Sequence, residues 1–171
     1  GTKDLAATIA KLRTDKALYF TSGAEILAAA QRALDRAKAA APGYFSVLPK
    51  TDCVMRESPA YEAPYSTIAY YRQPHYDGTK PGEYFVNTSP PGTRPVYEAE
   101  ALAFHESVPG HHTQISLSQE DGDVPAFRRH LYVTAFAEGW ALYAERLADE
   151  LGLYSGDLDR LGRLSFDSWR A

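Results

Sequence analysis

The chain has 171 residues, of which 44% are hydrophobic and 23% charged, and its formal net charge is −4. This length suits about one globular domain, and the mild negative charge with dispersed basic residues argues against DNA or RNA binding. A single cysteine, Cys53, excludes an internal disulfide and a cysteine-rich zinc ribbon, and no apolar run is long enough to form a transmembrane segment.

Residues 1–43 are predicted to be helical. Residues 4–13 show weak helical spacing of their apolar side chains. Ser22-Gly23-Ala24-Glu25 is a capping box in front of an alanine-rich run, and Pro42-Gly43 ends that run. We therefore predict a helix from about residue 23 to 40.

Residues 44–92 have a different sequence pattern, in which short aromatic and β-branched segments alternate with turns that contain proline or glycine. Such segments are typical of short strands. The sequence predicts a small antiparallel sheet from residues 44–48, 66–71 and 84–88.

Residues 93–171 are predicted to contain three helices, at about 95–108, 125–151 and 157–171. The whole chain is expected to be one α+β domain, mainly helical with a small antiparallel sheet. The final helical pattern runs to Ala171 without a cap, so we expect a fragment of a longer protein.

Three of the five histidines lie in the segment HESVPGHH, residues 105–112. A catalytic zinc ion takes three protein ligands and keeps a fourth position for water. In the familiar helical motif H-E-x-x-H the histidines lie about 40° apart around the helix. An unbroken helix would here place His111 about 240° from His105, and His112 about 10.5 Å further along the axis.

Pro109-Gly110 lies where the helix has to be interrupted. Proline has no amide to bond the carbonyl of His105, and glycine tolerates positive φ. We therefore predict a local unwinding between Val108 and His111 that lets His105 and His111 bind one zinc ion.

Glu106 follows the first ligand, as the acid does in H-E-x-x-H, and is the predicted general base for a metal-activated water. His112 is left open, as an alternative ligand to His111 or as a neighbour that orients the site. The predicted third ligand is Glu138, since it is the only carboxylate in the apolar stretch of residues 131–144 and a buried carboxylate needs a partner.

Four further residues in or directly after this stretch complete the expected site. Gly139 predicts that another segment approaches the helix closely. Glu145, two turns after Glu138, is expected to hold a ligand histidine in its tautomer. Tyr132 and Tyr143 are candidate oxyanion donors.

Several segments together resemble the bacterial domain-of-unknown-function family 885. They are YFVNT at residues 84–88, HESVPGHH with Gln114, and FAEGWA at residues 136–141 with Tyr143 and Glu145. That family is similar to the gluzincin metallopeptidases, the group of thermolysin and thimet oligopeptidase. The resemblance covers residues 60–171 well and the first helices more weakly.

The resemblance implies a zincin-like core that hydrolyses peptides with one zinc ion. His105 and His111 match the histidine ligands, Glu106 the catalytic acid, and Glu138 the distal glutamate ligand. It further implies that the strand at 84–88 lies along the cleft, and that the protein is periplasmic or secreted.

Other interpretations remain open. The histidines could be incidental residues of a polar helix end, and Glu138 could pair with Arg128, Arg129 or Arg146. The chain could be a non-catalytic module that binds peptide or cell-wall material around a structural metal, or a zinc hydrolase of other amides or esters. Substrate specificity and oligomeric state are not predicted.

Overall fold

The computed structural model describes residues 4–170, apart from the side chain of His130. Helices dominate, and a small sheet accompanies them, so the fold is of the mixed α+β class that the sequence predicts. The helices are α1 Leu5–Thr14, α2 Gly23–Ala40, α3 Ala99–Glu106, α4 His111–Glu120, α5 Ala126–His130, α6 Thr134–Glu150 and α7 Asp157–Arg170. The strands are β1 Cys53–Glu57, β2 Ala69–Arg72 and β3 Gly82–Val86. The predicted helix end at residue 171 lies outside the described residues.

Helix α2 forms as the sequence predicts. The Ser22 hydroxyl accepts a hydrogen bond from the Glu25 amide at 3.3 Å, and the Glu25 carboxylate accepts one from the Thr21 amide at 2.9 Å. Its buried side chains recur at helical spacing, which gives α2 one apolar face: Ile26, Ala30, Ala33, Leu34 and Ala37. This face packs against α3, so α3 lies in the core between α2 and the site described below.

The sheet differs from the predicted one in two ways. Its order is β1-β3-β2, with β1 parallel and β2 antiparallel to β3, so the sheet is mixed rather than antiparallel. The long connection that contains β2 lets β1 and β3 run in the same direction. Residues 44–48 form no strand, because the amides of Tyr44 and Phe45 bond back to the Ala41 carbonyl and prolong the end of α2 as a turn.

The sequence resemblance implies that the strand at residues 84–88 lies along the cleft, but in the structure β2 has that position. β3, which corresponds to the predicted strand at 84–88, is the central strand of the three. Both of its edges are therefore occupied by neighbouring strands. β2 lies at an edge of the sheet and is the strand that faces the metal-site helices.

The predicted helix at 125–151 is two helices. Leu131 and Val133 adopt extended backbone angles between α5 and α6, and the amides of Phe136 and Ala137 bond to the Val133 carbonyl to start α6. The predicted helix at 95–108 consists of a 3₁₀ turn, Val96–Glu98, followed by α3. Among the described residues, no helix is long and apolar enough to cross a bilayer.

Two glycines inside helices differ sharply in their surroundings. A Cβ atom at Gly162 of α7 would lie 1.8 Å from the carbonyl oxygen of Tyr97, because α7 packs closely on the Val96–Glu98 turn. A Cβ atom at Gly139 of α6 would meet nothing within 4 Å. The expectation that another segment approaches Gly139 is therefore wrong for the described chain.

We predict opposite stability changes for these two glycines. Gly139→Ala should raise the free energy of unfolding by about 1 kcal/mol, because alanine favours the helix and nothing obstructs its methyl group. Gly162→Ala should lower it by about 1–3 kcal/mol, because the Tyr97 backbone has to move. Urea unfolding of the two variants measures both changes. An equal rise in the free energy of unfolding of both variants would contradict the tight packing of α7 against the Tyr97 backbone.

Candidate metal centre

The helix that carries His105 is interrupted where the sequence predicts. α3 ends at Glu106 and α4 begins at His111, and residues 107–110 form a turn between them. The Ser107 amide still bonds to the Ala103 carbonyl at 2.9 Å, and the Trp140 indole N–H of α6 donates to the Pro109 carbonyl at 2.8 Å. The turn is thus bonded to α3 on one side and to α6 on the other.

Gly110 allows the turn to be this tight. A Cβ atom at this position would lie 1.9 Å from the carbonyl oxygen of His105 and 2.3 Å from that of Phe104. No side chain fits at such distances, so only glycine lets α4 start so close to the end of α3. This close approach returns the chain to the neighbourhood of His105 after six residues.

His105, His111 and Glu138 meet in the structure. One ligand atom from each lies within 4.8 Å of the other two. The Nε2 atom of His105 is 3.5 Å from one oxygen of Glu138, and the Nε2 atom of His111 is 3.6 Å from the other. The two imidazole rings are 4.8 Å apart and nearly perpendicular.

These separations fit a shared metal ion better than direct hydrogen bonds. Nitrogen–oxygen hydrogen bonds are about 2.7–3.2 Å long, which is shorter than both distances. Two ligands that each lie about 2.0–2.1 Å from a tetrahedral zinc ion are roughly 3.3 Å apart. Two histidines and one glutamate are also the donor set of known catalytic zinc sites. The donor types and the two histidine–glutamate separations therefore fit a zinc ion.

A fully buried carboxylate orients His105. Glu145 Oε1 lies 2.7 Å from the Nδ1 atom of His105, and the Glu145 side chain has no exposed area. A carboxylate only accepts hydrogen bonds, so Nδ1 carries the proton and the lone pair of Nε2 faces Glu138. Glu145 thus lies where the sequence predicts a residue that fixes the histidine tautomer.

His111 is held by packing rather than by a hydrogen bond. Its Nδ1 atom is buried and has no hydrogen-bond partner among the described residues. Burial and the neighbouring His105 lower the pKa of His111 to about 4, although Glu138 opposes the shift. The ring is therefore neutral at pH 7, which is the form that binds a metal.

Glu106 lies in the same site with only 8% of its surface exposed. Burial raises the pKa of its carboxyl to about 7, while the adjacent His105 acts in the opposite direction. A carboxyl group with this pKa can accept a proton and release it again at neutral pH. This is the property that the predicted general base requires.

A cavity of about 500 Å³ opens beside the triad. Strand β2 forms its sheet side, while His105, Glu106, His111 and Glu138 face it from the helices. Tyr132 also lines this cavity, and its hydroxyl donates to Glu138 at 3.4 Å. Among the described residues, the basic side chains whose nitrogen atoms come within 4 Å of the Glu138 carboxylate are those of His105 and His111.

Two candidate residues lie elsewhere. Tyr143 is exposed, packs edge-on against Trp140 at 5.8 Å and does not line the cavity, so its assignment as an oxyanion donor is not supported by its position. Arg146, one of the alternative partners that the sequence offers for Glu138, pairs instead with Glu150 at 3.2 Å.

Both ring nitrogens of His112 are engaged by other groups, which favours His111 over His112 as the second ligand. Nε2 donates to the Thr51 carbonyl at 3.1 Å, and Nδ1 accepts from the Tyr71 hydroxyl at 2.9 Å. Burial lowers the pKa of His112 to about 4, so the ring is neutral and can make both bonds. A Cβ atom at Gly82 would lie 2.3 Å from that hydroxyl, so glycine is needed beside this pair.

Sequence reasoning missed Tyr71 and Trp140 as parts of the site. Tyr71 ties β2 to α4 through His112, and its ring stacks 6.4 Å from that of His111. Trp140 fixes the turn through the Pro109 carbonyl. Neither residue has a local sequence signal for these contacts, because their partners are at least 31 positions away.

Comparisons with known proteins give a family and a structural relative. A family model described as "Bacterial protein of unknown function (DUF885)" matches residues 1–171. A crystal structure described as that of the "putative lipoprotein" from Colwellia psychrerythraea is 29% identical, with a TM-score of 0.89. The match covers 97% of this chain and 29% of that chain, so this chain spans less than a third of that protein. No curated protein matches the chain.

Replacing the adjacent histidines in turn should separate metal binding from stability. His111→Ala should weaken zinc binding at least about 100-fold. Loss of a residue that merely hydrogen-bonds to a metal ligand already lowers metal affinity by about 10–100-fold, and loss of the ligand itself should cost more. His112→Ala should leave the zinc dissociation constant within about threefold. It should lower the free energy of unfolding by about 1–3 kcal/mol, because Tyr71 and Thr51 lose a buried partner.

Chelator competition measures zinc affinity of these variants, and urea unfolding in the presence of excess chelator measures their stability without metal. Weaker zinc binding in His112→Ala than in His111→Ala would contradict the assignment of the ligand.

Proposed function

The chain belongs to the bacterial family DUF885, and from the site that it carries we propose that it is the core of a zinc-dependent peptidase of the gluzincin type. The observation that supports this most is the convergence of His105, His111 and Glu138 beside an open cavity. Two histidines from one interrupted helix and a glutamate from the next long helix make the ligand arrangement that such enzymes use. The cavity leaves room on one side for water and substrate.

The ligands would be His105, His111 and Glu138, each offering one atom. When bound there, zinc would supply Lewis-acid activation of water and of the substrate carbonyl. Glu106 would take one proton from the attacking water as the water oxygen forms a bond to the carbonyl carbon. It would return the proton to the amide nitrogen as the carbon–nitrogen bond breaks, so that the carboxylate is regenerated.

A peptide is the proposed substrate because of the strand beside the cavity. β2 is hydrogen-bonded to β3 along one edge, and residues of β2 line the cavity. An extended peptide can add to the free edge of a strand through main-chain hydrogen bonds. That placement would lay a peptide bond across the triad. Tyr132, which lines the same cavity, stays the predicted oxyanion donor.

A location in the periplasm or outside the cell is a further part of the proposal. It is supported by the description of the relative from Colwellia psychrerythraea as a "putative lipoprotein".

Glu106→Gln tests the proposed chemistry. The amide keeps the size and shape of the side chain but cannot take up the proton, so kcat/KM for peptides should fall by about 10²–10⁴-fold. Zinc content should stay at one ion per chain, because Glu106 is not a ligand. A quenched-fluorescence library of mixed peptides measures hydrolysis, and metal analysis of the same samples measures zinc.

Glu98→Gln is the matched control. Glu98 is a partly buried glutamate that accepts from Ser165 at 2.9 Å on the α7 side and does not line the cavity. It should keep both zinc and hydrolysis. Loss of zinc together with hydrolysis in Glu106→Gln would assign Glu106 a structural role. Bound zinc without any turnover in the unsubstituted chain would favour a binding module instead.

A further inference from the structure

Behind His105 lies a contact that reaches a third helix. Oε1 of the fully buried Glu145 accepts from the Nδ1–H group of His105 at 2.7 Å and from the guanidinium of Arg170 at 2.6 Å. The other oxygen, Oε2, has no partner among the described residues. Both interactions therefore meet at one oxygen, and Arg170 is the one cation among the described residues that pairs with this carboxylate.

Arg170 is well placed to fix that oxygen. It comes from α7, and its guanidinium lies 5.0 Å from the centre of the Phe166 ring, one turn earlier in the same helix. Three quarters of its side chain is buried. A buried carboxylate needs a cation in good geometry, and removal of one partner leaves an uncompensated charge in the interior. The planar guanidinium supplies direction as well as charge.

We propose that Arg170 is a positioning residue of the metal centre: by holding Oε1 of Glu145 it sets the direction of the His105 imidazole, so that zinc affinity depends on the Arg170–Glu145 contact. The inference rests on the proposed zinc site. Arg170 touches neither the metal nor the substrate in this scheme, and acts only through Glu145 and His105. By linkage, a bound zinc ion strengthens the Arg170–Glu145 contact by the same factor.

The chain offers a matched control on the same helix. Arg163 also belongs to α7, its side chain is 18% exposed, and it pairs with Asp149 of α6 at 3.8 Å and with Asp167 at 2.9 Å. Arg163 thus connects α7 to α6, as Arg170 does, but does not contact Glu145. A general weakening of α7 docking would act through both arginines, whereas positioning of His105 acts through Arg170 alone.

The experiment compares zinc dissociation constants by chelator competition for the unsubstituted chain, Arg170→Met and Arg163→Met. Loss of a group behind a metal ligand weakens binding by about 10–100-fold, and we expect a change in that range for Arg170→Met. Arg163→Met should stay within about threefold of the unsubstituted chain. In a Glu145→Gln background, Arg170→Met should cause little additional weakening, because the contact it acts through is already altered.

Circular dichroism checks that each variant is folded. If Arg170→Met does not fold, Arg170→Lys serves in its place, since it keeps the charge but not the planar geometry, and we expect a several-fold weaker zinc affinity. An unchanged dissociation constant in whichever variant folds overturns the inference alone. Equal weakening in Arg163→Met, or full additivity with Glu145→Gln, also overturns it. Absence of zinc binding by the unsubstituted chain overturns both the inference and the proposed function.

Discussion

The close contact between Gly110 and the end of α3 is the constraint on which the site depends. A continuous helix would carry His111 to another face, about 240° from His105. The turn at residues 107–110 ends α3 directly after Glu106 and starts α4 at His111, and it can do so only because no side chain lies between Gly110 and the carbonyl of His105. A motif two residues longer than H-E-x-x-H thereby places its two imidazoles beside the same carboxylate.

The polar side chains buried around this turn connect separate parts of the fold. Glu145 joins α6 to α3 through His105, while His112 joins α4 to β2 through Tyr71 and to the chain before β1 through Thr51. A buried polar group is costly unless it finds its partner, so each of these bonds requires its elements to pack in one relative position. The groups that could do chemistry are therefore positioned by packing that extends well beyond the site.

Features that depend on neighbouring residues in the chain could be predicted from the sequence. The capping box and Pro42-Gly43 defined α2, and helix geometry with the ligand requirement of zinc indicated the break before His111. The sequence did not predict β1, whose residues Cys53–Glu57 lack a regular alternation of polar and apolar types, nor its parallel pairing with β3. Those features, like the contact of His112 with Tyr71, depend on residues far apart in the chain, and a single sequence carries no signal for such pairings.

The two imidazoles of the triad are held by different forces. His105 has a hydrogen bond from Nδ1 to Glu145, which fixes the rotation of the ring about its Cβ–Cγ bond as well as its tautomer. His111 has no such bond among the described residues, and its orientation follows from the start of α4 and from the Tyr71 ring stacked beside it. A bond of 2.7 Å resists rotation more strongly than van der Waals contact does. His105 is therefore the more firmly oriented of the two histidines, and Glu138, whose side chain is 45% exposed, is the least enclosed member of the triad.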